Sequence, residues 1–264
     1  MATLHGLSVV DRSQKPRKKG RSWCIDDGLP QGLFRDILES HHRLIDGVKF
    51  GWGTALVTDV LDAKIAACRE FNVDFSFGGT LFEAYFIQGR FEEFLRLVDR
   101  CQCPVVEISD GTIDLDRSVR RRIISAISTE TRVFSEVGSK DPEQAAQWQP
   151  LDWIEQILLD RDAGAELIIL ETRESGTSGL CLPNGEIRPD VAEGILSSNI
   201  RPEWLMFEAP QKAQQAYWIR KLGPEVNLSN IPLGSPVNLE TLRLGLRSDT
   251  FSLLTQSAPL LLPH

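Results

Sequence analysis

The chain is short of the residues that build the commonest metal and redox centres. Its four histidines, His5, His41, His42 and His264, form no H-E-x-x-H pattern and two lie near the ends, which argues against a histidine-rich zinc site. Its five cysteines, Cys24, Cys68, Cys101, Cys103 and Cys181, are an odd set with no C-x-x-C spacing, and no secretory h-region opens the chain. A reduced, cytoplasmic setting is the simplest expectation, with Cys101 and Cys103 as buried thiols rather than a thiol site. No apolar run reaches the ~18 residues of a membrane span, and "APLLLPH" at the end reads as a short tail. Basic excess is also missing: 29 Lys and Arg face 37 Asp and Glu, a net charge of -8. Nucleic acid and anionic membranes are bound through basic surfaces, so neither is an expected partner.

What remains is an ordinary globular composition, 42% hydrophobic and 25% charged, over 264 residues. That length is normal for one α/β barrel of roughly 250 residues. The basic stretch "DRSQKPRKKGR" at 11–21 reads as part of a flexible N-terminal arm, residues 1–22, with a lid facing an anion as the other reading. A catalytic barrel is expected over 23–252 and a tail over 253–264.

Short β-rich runs alternate with segments of helical period. Eight strands are predicted, at "WCID", "DGVKFG", "VDFSFGG", "PVVEISD", "RVFSEVG", "ELIILE", "EWLMFE" and "VNLSNI". The helices are predicted at 30–43, 58–71, 82–100, 116–129, 150–163, 190–198, 212–221 and 238–247. Thr58 is a candidate N-cap, as is Asp114 or Asp116. Alternation with short links requires a parallel sheet, and eight units close into a single-domain (β/α)8 TIM barrel, an open doubly wound sheet being the alternative.

In such a barrel the C-terminal strand ends share one face and carry the chemistry. Those ends supply Asp26, Asp27, Lys49, Gly79, Thr80, Glu107, Ser109, Asp110, Glu136, Glu171, Arg173, Glu208, Gln211, Lys212, Asn227 and Asn230. The fourth to seventh strands all finish in glutamate. Converging carboxylates repel and raise one another's pKa, so positive charge must sit among them. Oxygen donors without histidine or thiolate suit Mg²⁺, while Lys49, Arg173, Lys212 and Lys140 add fixed charge for an anionic substrate. Lys212 opens a helix after the seventh strand, where barrels often bind phosphate. Arg243 and Arg247 are expected in surface ion pairs. Glu107 and Glu208 also match the strand positions of many glycosidase acid and nucleophile pairs, which keeps a glycoside hydrolase in view.

The motifs "VKFGWGT", "FGGTLFE", "VEISDGT", "SEVGSKD", "ETRESG", "FEAPQK", "VNLSNI" and "LETLRLGLRSDTF", in that order, resemble those of the phosphosulfolactate synthase family. The resemblance implies a Mg²⁺-dependent barrel enzyme of the carbon-sulfur lyase class. It would add sulfite to phosphoenolpyruvate and give (2R)-phospho-3-sulfolactate, an early compound of coenzyme M synthesis in archaea. It implies Glu107, Glu136 and Glu171 as metal ligands with Asp110 in reserve, and Lys140, with Glu136, in the catalytic step. Substrate binding would fall to Lys49, Gly79, Thr80, Arg173, Glu208, Lys212, Asn227 and Asn230; a homo-oligomer is expected. Asp27 and Ser139 stand where the archaeal pattern has lysine, and "SEVGSKD" is similar to the bacterial branch, which shades into plant heat-stress-associated relatives. A non-catalytic stress-related or scaffolding barrel is therefore the alternative function.

Overall fold

In the computed structural model, which describes residues 2–255, eight parallel strands close into a barrel. A small antiparallel hairpin precedes it, β1 (Ala2–Leu4) and β2 (Leu7–Val9). The barrel strands are β3 (Ser22–Asp26), β4 (Gly47–Phe50), β5 (Asp74–Phe77), β6 (Val105–Ile108), β7 (Arg132–Val137), β8 (Leu167–Leu170), β9 (Leu205–Glu208) and β10 (Leu228–Pro232). They pair in sequence order, and β10 closes on β3. Closure excludes the open-sheet alternative: all eight predicted strands are present, and neither end of the sheet is left as an edge.

The two-residue period of a strand explains how one barrel holds both a dry plug and a charged mouth. Trp23, Val105, Phe134, Leu167, Ile169 and Met206 form a separate apolar cluster that fills the barrel interior. Two residues beyond five of these positions stand Ile25, Glu107, Glu136, Glu171 and Glu208, nearer the C-terminal end. Lys49 stands likewise two beyond Gly47, whose missing side chain makes room for Trp23. A Cβ there would come within 2.3 Å of the indole. The outer faces of the strands pack against the helices in a second, larger core.

Helix boundaries depart from the sequence expectation in several places. The helix predicted at 82–100 is two helices, Gly79–Ile87 and Phe91–Arg100, broken around Gly89 in the left-handed region. The helix predicted from Thr58 starts at Leu61, so Thr58 is not its N-cap. Asp116 does cap the helix Arg117–Ile127, and a short unpredicted helix, Pro142–Gln147, is capped by Asp141.

The basic segment 11–21 lies against the N-terminal end of the barrel. Arg12 pairs with Glu225 and Glu240, Arg17 with Asp46 at 3.1 Å and Arg21 with Glu166 at 2.6 Å, while Lys15 Nζ donates to three backbone carbonyls. These contacts face away from the mouth, so the segment is not a lid over it. Arg243, expected on the surface, is buried and donates to the carbonyls of Pro224, Val226 and Arg21. All five cysteines are free and buried. No helix among the described residues is long and apolar enough to cross a membrane. The tail from 256 onward lies outside the described residues.

Candidate active site

A cavity of about 610 Å³ opens at the C-terminal end of the strands. Lys49 is at its floor, 4% exposed, with Nζ 2.9 Å from Glu136 Oε1, 3.1 Å from Glu107 Oε2 and 3.3 Å from Glu208 Oε1. Burial opposes the ammonium, but Glu107, Glu136 and Glu208 outweigh it and hold the Lys49 pKa well above the ordinary lysine value. Burial likewise opposes ionisation of Glu136, yet Lys49 and Lys140 hold its carboxyl well below the usual range. Glu107 goes the other way. Burial, only partly offset by Lys49 and reinforced by Glu136, pushes it up to about 8. Its Oε1 accepts from Ser76 Oγ at 2.5 Å, and Ser76 in turn accepts from the Trp23 indole of the plug.

Lys140 enters from the loop after β7 and stands on the cavity wall. Nζ is 2.9 Å from Ser109 Oγ, 3.1 Å from Glu83 Oε1, 3.2 Å from Thr80 Oγ1 and 3.2 Å from Glu136 Oε2, with Glu171 Oε2 at 3.9 Å. Burial works against its charge, but Glu136, Glu171 and Glu83 overcome it, and the ammonium keeps its proton more tightly than a free lysine. Arg120, fully buried beneath this wall, donates to the Glu136 carbonyl at 2.7 Å and pairs with Asp160, which fixes the end of β7. Gly79 lets the helix Gly79–Ile87 start against the wall: a Cβ there would lie 2.4 Å from Ser109 Cβ and 2.7 Å from Glu136 Oε2.

Three cavity-lining residues with side chains, Trp52, Arg173 and Asn230, have left-handed backbones, with φ of 50°, 62° and 54°. Such conformations are costly outside glycine and persist where surrounding structure imposes them. Arg173 pairs loosely with Glu174 at 3.9 Å, and its side chain is 40% exposed. Asn230 is 4% exposed, and its Oδ1 has no hydrogen-bond partner.

Lys49, Gly79, Thr80, Glu136, Lys140, Glu171, Arg173, Glu208 and Asn230, each predicted from the sequence, line this one cavity. Four others do not. Asn227 precedes β10 at the opposite end of the barrel, where its amide donates to Leu205 O and accepts from Arg21 N. Lys212 does open a helix, but Nζ pairs with Asp249 at 3.1 Å outside the cavity lining. Asp110 faces a second cavity and pairs with Arg120 at 2.6 Å. Glu107 is fully buried below the floor, and both it and Glu208 are bound to Lys49, so they do not form the free pair a glycosidase needs. Asp26 pairs with the buried Lys64 at 2.6 Å and accepts from Gly28 and Leu29, which makes it a brace of its loop.

Sequence reasoning missed Glu83. It is 1% exposed and accepts from Ser109 Oγ, Thr112 Oγ1 and Lys140 Nζ. The "FGGTLFE" motif contains it, but nothing in that spelling sets apart an acid within a helix.

Hard oxygen donors for a cation remain on the cavity surface. Burial and the neighbouring Glu208 charge raise Glu171 well above the usual carboxylate value, which marks negative charge that Lys49 and Lys140 leave uncompensated. Glu136, Glu171 and Glu208 are the lining carboxylates that could hold a divalent cation, oxygen donors of the kind Mg²⁺ takes. Among the described residues no three acidic, histidine or cysteine side chains converge as a closed metal site.

The model of the (2R)-phospho-3-sulfolactate synthase (ComA) family matches residues 10–249. The phosphosulfolactate synthase of Bacillus subtilis (strain 168) is 47% identical over 247 residues, covering 94% of this chain and 98% of the relative. That of Methanocaldococcus jannaschii is 40% identical, covering 89% and 94%. Among solved structures, 3-keto-L-gulonate-6-phosphate decarboxylase from Vibrio cholerae superposes with a TM-score of 0.54 at 10% identity, over 91% of this chain and 100% of that one. The carboxyl transferase domain of Rhizobium etli pyruvate carboxylase gives 0.57 at 13%, over 91% and 46%. At such identities the structures speak for the barrel alone.

Proposed function

The chain belongs to the (2R)-phospho-3-sulfolactate synthase family, and from that premise we propose that its barrel mouth joins sulfite to phosphoenolpyruvate, with Mg²⁺ bound. The observation that carries the reading is the set of cations at one mouth: Lys49 on the floor, Lys140 on the wall and Arg173 on the rim. Both reactants are anions. An acidic chain that lines its cavity with three cations has a use for them there.

In the proposed step the sulfite sulfur attacks the methylene carbon, C3, and the C–S bond forms. The π electrons of C2=C3 pass into the carboxylate as an aci-anion, and C2 then takes a proton to give the phosphosulfolactate. Lys49 and Arg173 hold the developing negative charge in a partly dry site, where fixed charges act more strongly than in water. Lys140 gives its proton to C2. An ammonium is a weak acid, but the aci-anion carbon is a far stronger base than an amine, so a lysine held protonated at neutral pH suits the task. Mg²⁺ would supply Lewis-acid stabilisation of the carboxylate oxygens from the Glu171 side of the cavity. Asn230, with a free buried oxygen, orients a protonated or hydroxylic substrate group.

Incubation of the purified protein with phosphoenolpyruvate, sulfite and Mg²⁺, followed by mass spectrometry, tests the reading. Phosphosulfolactate is expected, and chelation of the metal should suppress it. Unchanged phosphoenolpyruvate with and without metal would instead leave the barrel a non-catalytic role.

A further inference from the structure

We propose that Glu83 is the positioning residue that aims Lys140 at the reacting carbon. The role rests on the sulfite addition above, in which Lys140 supplies the proton. An ammonium has three N–H donors, and Lys140 has five oxygen-bearing side chains within 4 Å, of which Thr80 and the two carboxylates of Glu136 and Glu171 line the cavity. A flexible lysine drawn to those two carboxylates would lay its protons along the glutamates instead of offering one to a substrate. Something must hold it back.

Glu83 does so from the side of the helix Gly79–Ile87. One carboxylate oxygen accepts from both Lys140 Nζ and Ser109 Oγ, while Lys140 also donates to Ser109 Oγ. Lysine, serine and glutamate thus form a closed three-membered ring of hydrogen bonds. The other oxygen accepts from Thr112 Oγ1 in the loop after β6. That loop is joined to the lysine a second time, since Lys140 N donates to Gly111 O at 3.0 Å. Gly111 is needed at this crossing: a Cβ there would lie 2.8 Å from the Lys140 side chain. Glu83 is itself 1% exposed and carried on a helix, so the ring is anchored to a rigid element rather than to a loop alone.

Steady-state kinetics of Glu83→Gln test the role, with Glu83→Asp as the conservative variant and wild type as reference. Glutamine keeps the volume and removes the charge. The expected result is a kcat lowered by ~10²-fold, in line with a misplaced catalytic group, with KM for phosphoenolpyruvate and sulfite within about twofold by the same reasoning. The solvent deuterium isotope effect on kcat should rise as proton delivery becomes limiting, and Glu83→Asp should recover part of the rate. A structural role alone would not raise the isotope effect. Wild-type kcat in Glu83→Gln, or a loss carried by KM with no change in isotope effect, overturns the proposal. If wild type makes no product, the sulfite-addition reading fails by itself. Acylation of Lys140, followed by peptide mass spectrometry, then decides the contact: faster labelling in folded Glu83→Gln supports it and equal labelling refutes it. Should Glu83→Gln not fold, the same two readouts on Glu83→Asp decide, with a smaller fall in kcat expected.

Discussion

Lys49 Nζ lies 2.9 Å from Glu136 Oε1, so the strongly ionised carboxylate of the mouth is held by the lysine at its floor. Removing that lysine would leave Glu107, Glu136 and Glu208 buried without their shared cation. Breaking one side of a buried ion pair typically costs about 3–5 kcal/mol. Lys49→Met is therefore expected to lower the urea midpoint of unfolding sharply at neutral pH as well as to abolish turnover. A midpoint equal to that of wild type would show that the cluster is not ionised as described.

Lys140 sits on the wall rather than in the barrel plug, and its loss should read differently. Lys140→Met is expected to lower turnover by ~10²–10⁴-fold, the usual worth of a general acid, while the circular dichroism spectrum keeps its native shape. A variant that turns over normally would remove Lys140 from the chemistry.

Glu107 gives the protein a predictable pH response. Its folded pKa is raised from 4.5 to about 8 by burial, so the folded state binds the proton more tightly than the unfolded chain does. The stability this contributes is fully present below the unfolded value, and it is lost as pH rises through about 8. Glu136 is shifted downwards, so both of its states are ionised across that window and it adds no slope there. Stability of wild type should fall from pH 5 to 9 more steeply than that of Glu107→Gln, whose neutral amide has no proton to lose. Parallel curves in chemical denaturation would contradict the assignment.

Asn227 and Asn230 are three residues apart and should behave as opposites. Asn230→Ala removes a free oxygen from the cavity and is expected to raise KM with little change in melting temperature. Asn227→Ala breaks buried bonds to Leu205 and Arg21 at the far end of the barrel. It should cost about 1–3 kcal/mol with kcat/KM unchanged. Thermal melting and kinetics on the two variants settle the contrast.

That pair also shows where the sequence stops being legible. Strands could be read because each is a short β-rich run, and the barrel followed from their count and alternation. Four strand-end glutamates in matching register marked the right mouth, since a two-residue period carries side chains from plug to floor in step, as in Val105 and Glu107 or Phe134 and Glu136. Depth and direction were not legible. Glu107 lies fully buried beneath the cavity beside Lys49, Asp110 turns to Arg120, and Lys212 turns to Asp249. A spelling such as "VNLSN" does not say which asparagine precedes the strand and which stands at the bulge between Leu228 and Ile231. Glu83 was hidden because a helix residue becomes part of a site only when loops from β6 and β7 fold onto it.

Phosphorus followed in a single tube reports on the addition and on Lys140 together. Protein, phosphoenolpyruvate, sulfite and Mg²⁺ are monitored by ³¹P NMR, with Lys140→Met in parallel. Sulfite addition with Lys140 as the proton donor predicts that the phosphoenolpyruvate resonance gives way, with wild type only, to a phosphomonoester signal split by one proton on C2. A phosphoenolpyruvate signal that persists with wild type, or that is converted as fast by Lys140→Met, would contradict it.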